Sequence, residues 1–124
     1  MFSYLFVALG GALGAVARVG LSRAFPAMVW GIPLQILCIN VLGCLVMGGV
    51  SEFIGSHTRL SEHMRYFMAS GFLGAFTTFS AFTLEFAQLY KKQMYGTAFT
   101  YAALSCTLSI VFFFLGSKVA RVAL

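Results

Sequence analysis

The sequence predicts an all-α membrane protein, built as a single integral membrane domain over residues 1–124 with four transmembrane helices. Sixty per cent of the residues are hydrophobic and only 9% are charged, whereas a soluble domain carries about 25% charged residues. Four stretches contain no Asp, Glu, Lys or Arg, at residues 1–17, 24–51, 66–84 and 93–117. Each is long enough for a helix to cross about 30 Å of hydrocarbon. These observations exclude a soluble globular fold.

Turn residues between these stretches set the helix boundaries. We place the four helices at about residues 3–23, 30–54, 62–90 and 95–121. Proline and glycine cluster between the first two spans, glycine follows the second, and Lys91 and Lys92 follow the third. The connections are too short for a nucleotide-binding domain or a catalytic lid, and no nucleophile is paired with a base, so we do not expect an enzyme.

The lysines and arginines are balanced across the membrane. If four helices cross in turn, the termini and the middle loop share one side, which carries Arg59, Arg65, Lys118 and Arg121. The first and third loops carry the other four, Arg18, Arg23, Lys91 and Lys92. Orientation follows an excess of Lys and Arg on one side, and because there is none here we expect dual topology in an antiparallel homodimer. The net charge of +5 then faces lipid headgroups, and we expect no nucleic-acid partner.

Small residues within the spans indicate helix packing. Gly10 and Gly14 form a GxxxG pair, the spacing at which membrane helices approach each other closely. Cys38, Cys44 and Cys106 are odd in number and form no CxxC pair. We interpret the cysteines as small apolar residues rather than metal ligands or disulfide partners.

Polar side chains inside the spans are few, and at membrane depth they are costly enough to suggest a function. Asn40 lies in the middle of the second span, where it either bonds a neighbouring helix or meets an ion. Tyr101, Ser105 and Ser109 recur every four residues in the fourth span, so that their hydroxyls share one face. Packing alone explains such a one-sided track of donors less easily.

The third span contains an unusual run from Gly71 to Thr83, in which two glycines precede two threonines and a serine. These residues predict a helix broken at mid-membrane, which is tolerated only where the backbone lines a cavity or holds an ion. Phenylalanines recur at helical spacing through the same region, at Phe72, Phe76, Phe79, Phe82 and Phe86. Such a stripe is typical of a core or a lipid-facing surface, although the positive ring edges can also meet an anion.

Acidic residues are nearly absent. Glu52 and Glu62 fall near span ends, and Glu85 follows the phenylalanine and serine run, from where it could pair with Arg18 across a vestibule. No carboxylate is central, and a proton-driven pump needs a titratable group there. A small multidrug resistance transporter shares the size and charge balance but needs a glutamate in the first span, where residues 1–17 contain none. The other alternative is a non-transporting membrane subunit, whose polar residues only hold helices together.

Three motifs together resemble the Fluc (CrcB) family of fluoride channels: Gly10-Gly11-x-x-Gly14-Ala15-x-x-Arg18, Asn40-x-x-Gly43, and Gly74-Ala75-Phe76-Thr77-Thr78-Phe79-Ser80-x-Phe82. The similarity covers essentially the whole chain, and the third motif is the most specific. The resemblance implies an antiparallel, dual-topology homodimer that crosses a bacterial plasma (inner) membrane several times. It also implies passive fluoride export from the cytoplasm through two pores, with a structural sodium ion at the dimer centre.

The resemblance assigns a fluoride pathway to particular residues. Asn40 matches the pore asparagine whose amide donates to fluoride. Phe79 and Phe82 match the paired phenylalanines whose ring edges face the ion. The other matched residues carry hydroxyls: Ser80, Tyr101, Ser105 and Ser109.

The resemblance also implies a cation site and a vestibule. Gly74 and Thr77 match positions whose backbone carbonyls bind the central sodium ion. Arg18, Glu85 and Ser80 match a polar vestibule cluster.

Two positions depart from the family pattern. Ala81 stands in the vestibule where a threonine is usual, so one hydroxyl is missing and we expect a lower fluoride throughput. Ile36 stands four residues before Asn40, also in place of a threonine, so that anion recognition at one mouth is expected to be weaker or supplied by other groups.

Overall fold

The computed structural model describes all 124 residues and contains four helical spans that are long and apolar enough to cross a membrane. In chain order the helices are α1 (Phe2–Ser22), α2 (Leu34–Ser56), α3 (Glu62–Arg65), α4 (Gly74–Phe76), α5 (Phe79–Lys91) and α6 (Tyr95–Ala123). A π-helical segment, Tyr66–Leu73, joins α3 to α4, so that Glu62–Lys91 forms the third span. The predicted all-α class with four spans is confirmed.

A short β-hairpin connects α1 to α2. Strand β1 (Met28–Val29) pairs with β2 (Ile32–Pro33) in antiparallel register, and the turn residues Trp30 and Gly31 have φ angles of 54° and 79°. A tight hairpin turn requires these positive angles, and a right-handed helix excludes them. The predicted start of the second helix at residue 30 is therefore wrong, and α2 begins at Leu34.

The GxxxG pair of α1 lies against the third span. Gly10 and Gly14 are both buried. A Cβ atom added to Gly10 would press on the backbone of Phe67, and one added to Gly14 would collide with the backbone of Phe72. The glycines therefore let the two backbones touch, which is the packing role that their spacing predicts.

A second glycine contact joins α2 to α6. A Cβ atom on Gly48 would collide with the carbonyl of Phe113. One on Gly116 would collide with the carbonyl of Leu45. These two helices therefore touch along a seam between their backbones, and both of them also contact the third span.

The third span is interrupted near its middle. Thr77 and Thr78 adopt extended backbone conformations, with ψ angles of 156° and 120°, between α4 and α5. The break predicted for the run from Gly71 to Thr83 is thus present at these two threonines. No feature of the sequence predicts the π-helical geometry of the segment that precedes it.

The chain buries little of itself. Only 16 of its 124 residues are buried, and the main core cluster comprises Leu37, Leu89, Ala98 and Tyr101. Long apolar faces stay exposed on the outer helices, most of all on α1. Helices that are apolar on every side suit contact with lipid or with another apolar protein surface.

Candidate ion site at the helix break

Asn40 holds the helix break in place. Its Nδ2 donates to the backbone carbonyl of Thr78 at 2.9 Å, and its Oδ1 accepts from the backbone N–H of Thr78 at 2.8 Å. The carboxamide thus supplies two hydrogen bonds that the interrupted helix cannot make. A primary amide has two N–H groups, so one of them is left for another acceptor.

Neighbouring residues allow the break and close its two helix ends. A Cβ atom on Gly43 would collide with the methyl group of Thr77, so glycine is needed for α2 to approach the break. The Thr77 hydroxyl donates to the carbonyl of Leu73 at 3.0 Å. The Thr78 hydroxyl accepts from the N–H of Ala81 at 3.2 Å and caps α5.

The break also changes the surroundings of two backbone carbonyls. In a continuous helix the Gly74 carbonyl accepts from the N–H of Thr78, which here is bonded to Asn40. The Thr77 carbonyl would accept from the N–H of Ala81, which here is bonded to the Thr78 hydroxyl. Both carbonyls have therefore lost their helical donors. They belong to the two residues that the resemblance assigns to sodium.

An open cavity of about 320 Å³ lies beside the break, between α2, α5 and α6. Its lining residues are Asn40, Cys44, Thr77, Thr78, Phe79, Phe82, Ser105, Cys106, Ser109 and Ile110. Five of the seven residues assigned to fluoride binding are among them, namely Asn40, Phe79, Phe82, Ser105 and Ser109. No charged side chain lines the cavity.

The cavity offers donors that lack partners in the chain. Ser105 is only 6% exposed, and its hydroxyl makes no hydrogen bond. An unpaired buried polar group costs about 1–3 kcal/mol, so this hydroxyl is available to a ligand. The ring of Phe79 is 76% exposed, and its centroid lies 5.4 Å from that of Phe82. Hydroxyl, amide and ring-edge hydrogens therefore meet in one space.

Tyr101 and Glu85 form a pair next to this cavity rather than within its lining. Tyr101 is fully buried, its hydroxyl donates to Oε2 of Glu85 at 2.7 Å, and its ring centroid lies 5.2 Å from that of Phe82. The ion pair between Glu85 and Arg18 does not form. The Glu85 carboxylate is instead bonded to the Tyr101 hydroxyl of α6, away from the space that Arg18 lines. Tyr101 therefore packs against Phe82, which lines the cavity, without lining it itself.

A second open cavity, of about 460 Å³, lies on the other side of the break. Its lining residues are Arg18, Val19, Ser22, Ile36, Thr78, Ser80, Ala81 and Leu84. It brings together Arg18, Ser80 and Ala81 of the expected vestibule, without Glu85. Ser80 thus faces this space rather than the first cavity. Thr78 lines both cavities, so the break forms the partition between them.

A polar cluster that the sequence did not lead us to expect joins α2 to the C-terminal part of α6. The Ser117 hydroxyl donates to Oε1 of Glu52 at 2.6 Å, and the Arg121 guanidinium donates to the same oxygen at 2.7 Å. This is the one salt bridge in the chain. Ser117 and Arg121 continue the four-residue spacing of Tyr101 and Ser109, and extending that pattern would have found them.

Known proteins resemble the chain along almost its whole length. The family model described as "CrcB-like protein, Camphor Resistance (CrcB)" matches residues 5–117. The "Fluoride-specific ion channel FluC" of Paracoccus denitrificans (strain Pd 1222) is 39% identical over 119 residues, which cover 96% of this chain and 94% of the relative. The protein of the same name from Caulobacter vibrioides (strain NA1000 / CB15N) is 43% identical over 124 residues, covering 98% and 97%.

A third relative, the "Fluoride-specific ion channel FluC" of Granulibacter bethesdensis (strain ATCC BAA-1260 / CGDNIH1), is 42% identical over 113 residues, covering 89% of this chain and 87% of the relative. These relatives are named as ion channels, a class of protein distinct from enzymes. The match to the family model and the relatives agree with the four membrane-capable spans. The chain belongs to the CrcB family of membrane proteins.

Proposed function

We propose that the chain is a fluoride-selective ion channel through which fluoride leaves the cytoplasm passively. The observation that carries this proposal is the first cavity, where Asn40, the Phe79–Phe82 pair and two serines meet beside the helix break. The three relatives are all named fluoride-specific ion channels, and these names support fluoride as the ion.

The lining chemistry suits a small, strongly hydrated anion. Such an ion must exchange water for closely spaced donors, and the cavity supplies the second amide N–H of Asn40, the hydroxyls of Ser105 and Ser109, and aromatic ring edges. Conduction also requires sites that bind the ion weakly enough to release it. Since no lysine or arginine lines the cavity, nothing there would trap the ion.

The working unit that we propose is an antiparallel homodimer with dual topology and two pores. The balance of four cations on each side of the membrane favours it, because neither orientation is preferred. The open cavity and the exposed apolar faces favour it as well, because one chain does not enclose a path on its own. We place this dimer in the bacterial inner membrane as a multi-pass protein surrounded by lipid.

A structural sodium ion at the dimer centre completes the proposal. The carbonyls of Gly74 and Thr77 would hold it, since both have lost their helical N–H donors and backbone oxygens are suitable ligands for a hard cation. Bound there, the ion would offset the carbonyl dipoles of the break. The chain leaves these two carbonyls without helical donors because the N–H of Thr78 bonds Asn40 and the N–H of Ala81 bonds the Thr78 hydroxyl.

The test compares two amide-to-carboxylate changes in liposomes that contain the purified protein. Asn40→Asp removes the Nδ2 donor and adds a negative charge to the cavity, so we expect fluoride efflux to fall by about a hundredfold. Gln35→Glu is the matched control, because Gln35 bonds the Phe25 carbonyl at 3.1 Å and lies outside the cavity. Equal efflux from both variants, each folded by size-exclusion chromatography, would contradict the proposal and favour a non-transporting membrane subunit.

A further inference from the structure

Two of the three cysteines line the first cavity. Cys44 lies one helical turn after Asn40 on α2, and Cys106 directly follows Ser105 on α6. Cys38 lies only two residues before Asn40, which is about 200° around the helix, and it does not line the cavity. The chain thus carries two thiols inside this space and one outside it.

Neither thiol in the cavity is held in a disulfide, and neither is Cys38. Cys106 is exposed, and Cys44 is partly buried. The space of about 320 Å³ next to them is large enough for a small ligand. The nearly buried hydroxyl of Ser105, which has no hydrogen-bond partner, lines the same space.

The two cysteines stand at different positions along the cavity. Cys44 shares a helix face with Asn40, since residues four apart lie above one another. Cys106 lies between the two serines of the α6 track, Ser105 and Ser109. A group attached to either sulfur would therefore occupy space next to a proposed fluoride donor.

We propose that Cys44 and Cys106 form a thiol-modification site inside the fluoride pathway, at which small organomercurials bind and block permeation. This inference rests on the proposed function. In the reaction with methylmercury chloride, the cysteine sulfur attacks mercury, a sulfur–mercury bond forms and the mercury–chlorine bond breaks. Chloride leaves and the thiol proton passes to solvent, so no oxidant or reductant is needed.

The block has a steric cause. The methylmercury group is neutral, so it adds no charge that would attract or repel fluoride. It fills space between the serine hydroxyls of α6 and the phenylalanine rings of α5, where the ion would have to pass. An adduct at Cys38 on the other side of α2 leaves this space open.

The experiment measures fluoride efflux from liposomes before and after methylmercury chloride, with modification of each cysteine followed by peptide mass spectrometry. We use the wild-type chain and three single-cysteine variants in which the other two cysteines are serine, each compared with its own untreated efflux. We expect efflux to fall by about tenfold or more in the wild type and in the Cys44-only and Cys106-only chains. The Cys38-only chain is the matched control and should keep its efflux although it is labelled, and dithiothreitol should restore efflux in the others.

Three results would overturn the inference, and the third would also overturn the proposed function. Unchanged efflux with Cys44 and Cys106 fully labelled shows that neither thiol lies in the pathway. An equal loss in the Cys38-only chain shows that the effect does not come from the cavity. If untreated wild-type vesicles release no fluoride at all, the proposed function itself fails and this inference fails with it.

Discussion

Helix α2 meets α6 along a seam where the two backbones touch and meets the third span at an interrupted backbone, and the two contacts use different residues. At the seam, Gly48 and Gly116 remove side chains so that the two backbones touch. At the break, Gly43 also makes room, but Asn40 then bonds both backbone groups of Thr78. The seam satisfies its backbone within continuous helices, whereas the break depends on a side chain from another helix.

This difference separates a contact that only packs two helices from one that borders the proposed ion pathway. A glycine seam has one tight arrangement and leaves no room for a ligand. The break leaves two cavities on its two sides and directs N–H groups away from the carbonyls of Gly74 and Thr77. Changes at the seam should therefore reduce stability first, and changes at the break should reduce ion flux first.

The largest effect should come from filling the seam. Gly116→Ala places a Cβ atom against the carbonyl of Leu45, and we expect the free energy of unfolding to fall by about 3 kcal/mol. Gly20→Ala is the matched control, because nothing lies within 4 Å of a Cβ atom at that position. Reversible unfolding in detergent would measure both variants. Equal stability of the two would show that the seam is not closely packed.

A smaller effect, confined to flux, should follow a change of the exposed ring at the break. Phe79→Ile removes an aromatic edge from the cavity, and we expect fluoride efflux to fall by about tenfold. The ring is 76% exposed, so the free energy of unfolding should change by no more than about 0.5 kcal/mol. Phe114→Ile alters a ring that is 66% exposed and lies outside the cavity. The account is contradicted if the two variants lose efflux to the same extent.

The smallest effect concerns the second cavity. Ala81→Thr adds a hydroxyl beside Arg18 and Ser80, and we expect fluoride efflux to rise by about twofold because the vestibule gains a donor. Ala87→Thr makes the same change on α5 outside that cavity and should give no rise. Unaltered efflux in Ala81→Thr would show that the missing hydroxyl has no effect on throughput.

Local features were predictable from the sequence, and their long-range partners were not. The run of glycines and threonines predicts a break in the third span because such residues weaken a helix. It does not predict that Asn40 bonds Thr78, since this contact joins residues 38 positions apart on different spans. Tyr101 and Glu85 are both identifiable as polar residues in spans, but only the packing of α6 on α5 shows that they bond each other.

The direction of individual side chains was also only partly predictable from the sequence. The four-residue spacing puts Tyr101, Ser105 and Ser109 on one helix face, but only the two serines line the first cavity. Ser80 lines the second cavity, and its hydroxyl lies 3.1 Å from that of Thr78. The same spacing argument, applied from Asn40, would have brought Cys44 to the cavity. The predicted helical start at residue 30 is wrong because Trp30 itself adopts a positive φ angle, which its residue type does not indicate, whereas Gly31 beside it is a turn signal.

The most direct test of the central claim compares fluoride with chloride. Liposomes carrying the purified wild-type protein are loaded with potassium fluoride or potassium chloride. A potassium ionophore is then added so that potassium leaves together with the anion, and ion-selective electrodes follow the release of fluoride or chloride. We expect protein-dependent fluoride release at least about a hundredfold faster than chloride release, because the cavity lining offers small, closely spaced donors and no positive charge. Comparable rates for the two ions would contradict a fluoride-selective pathway at the helix break.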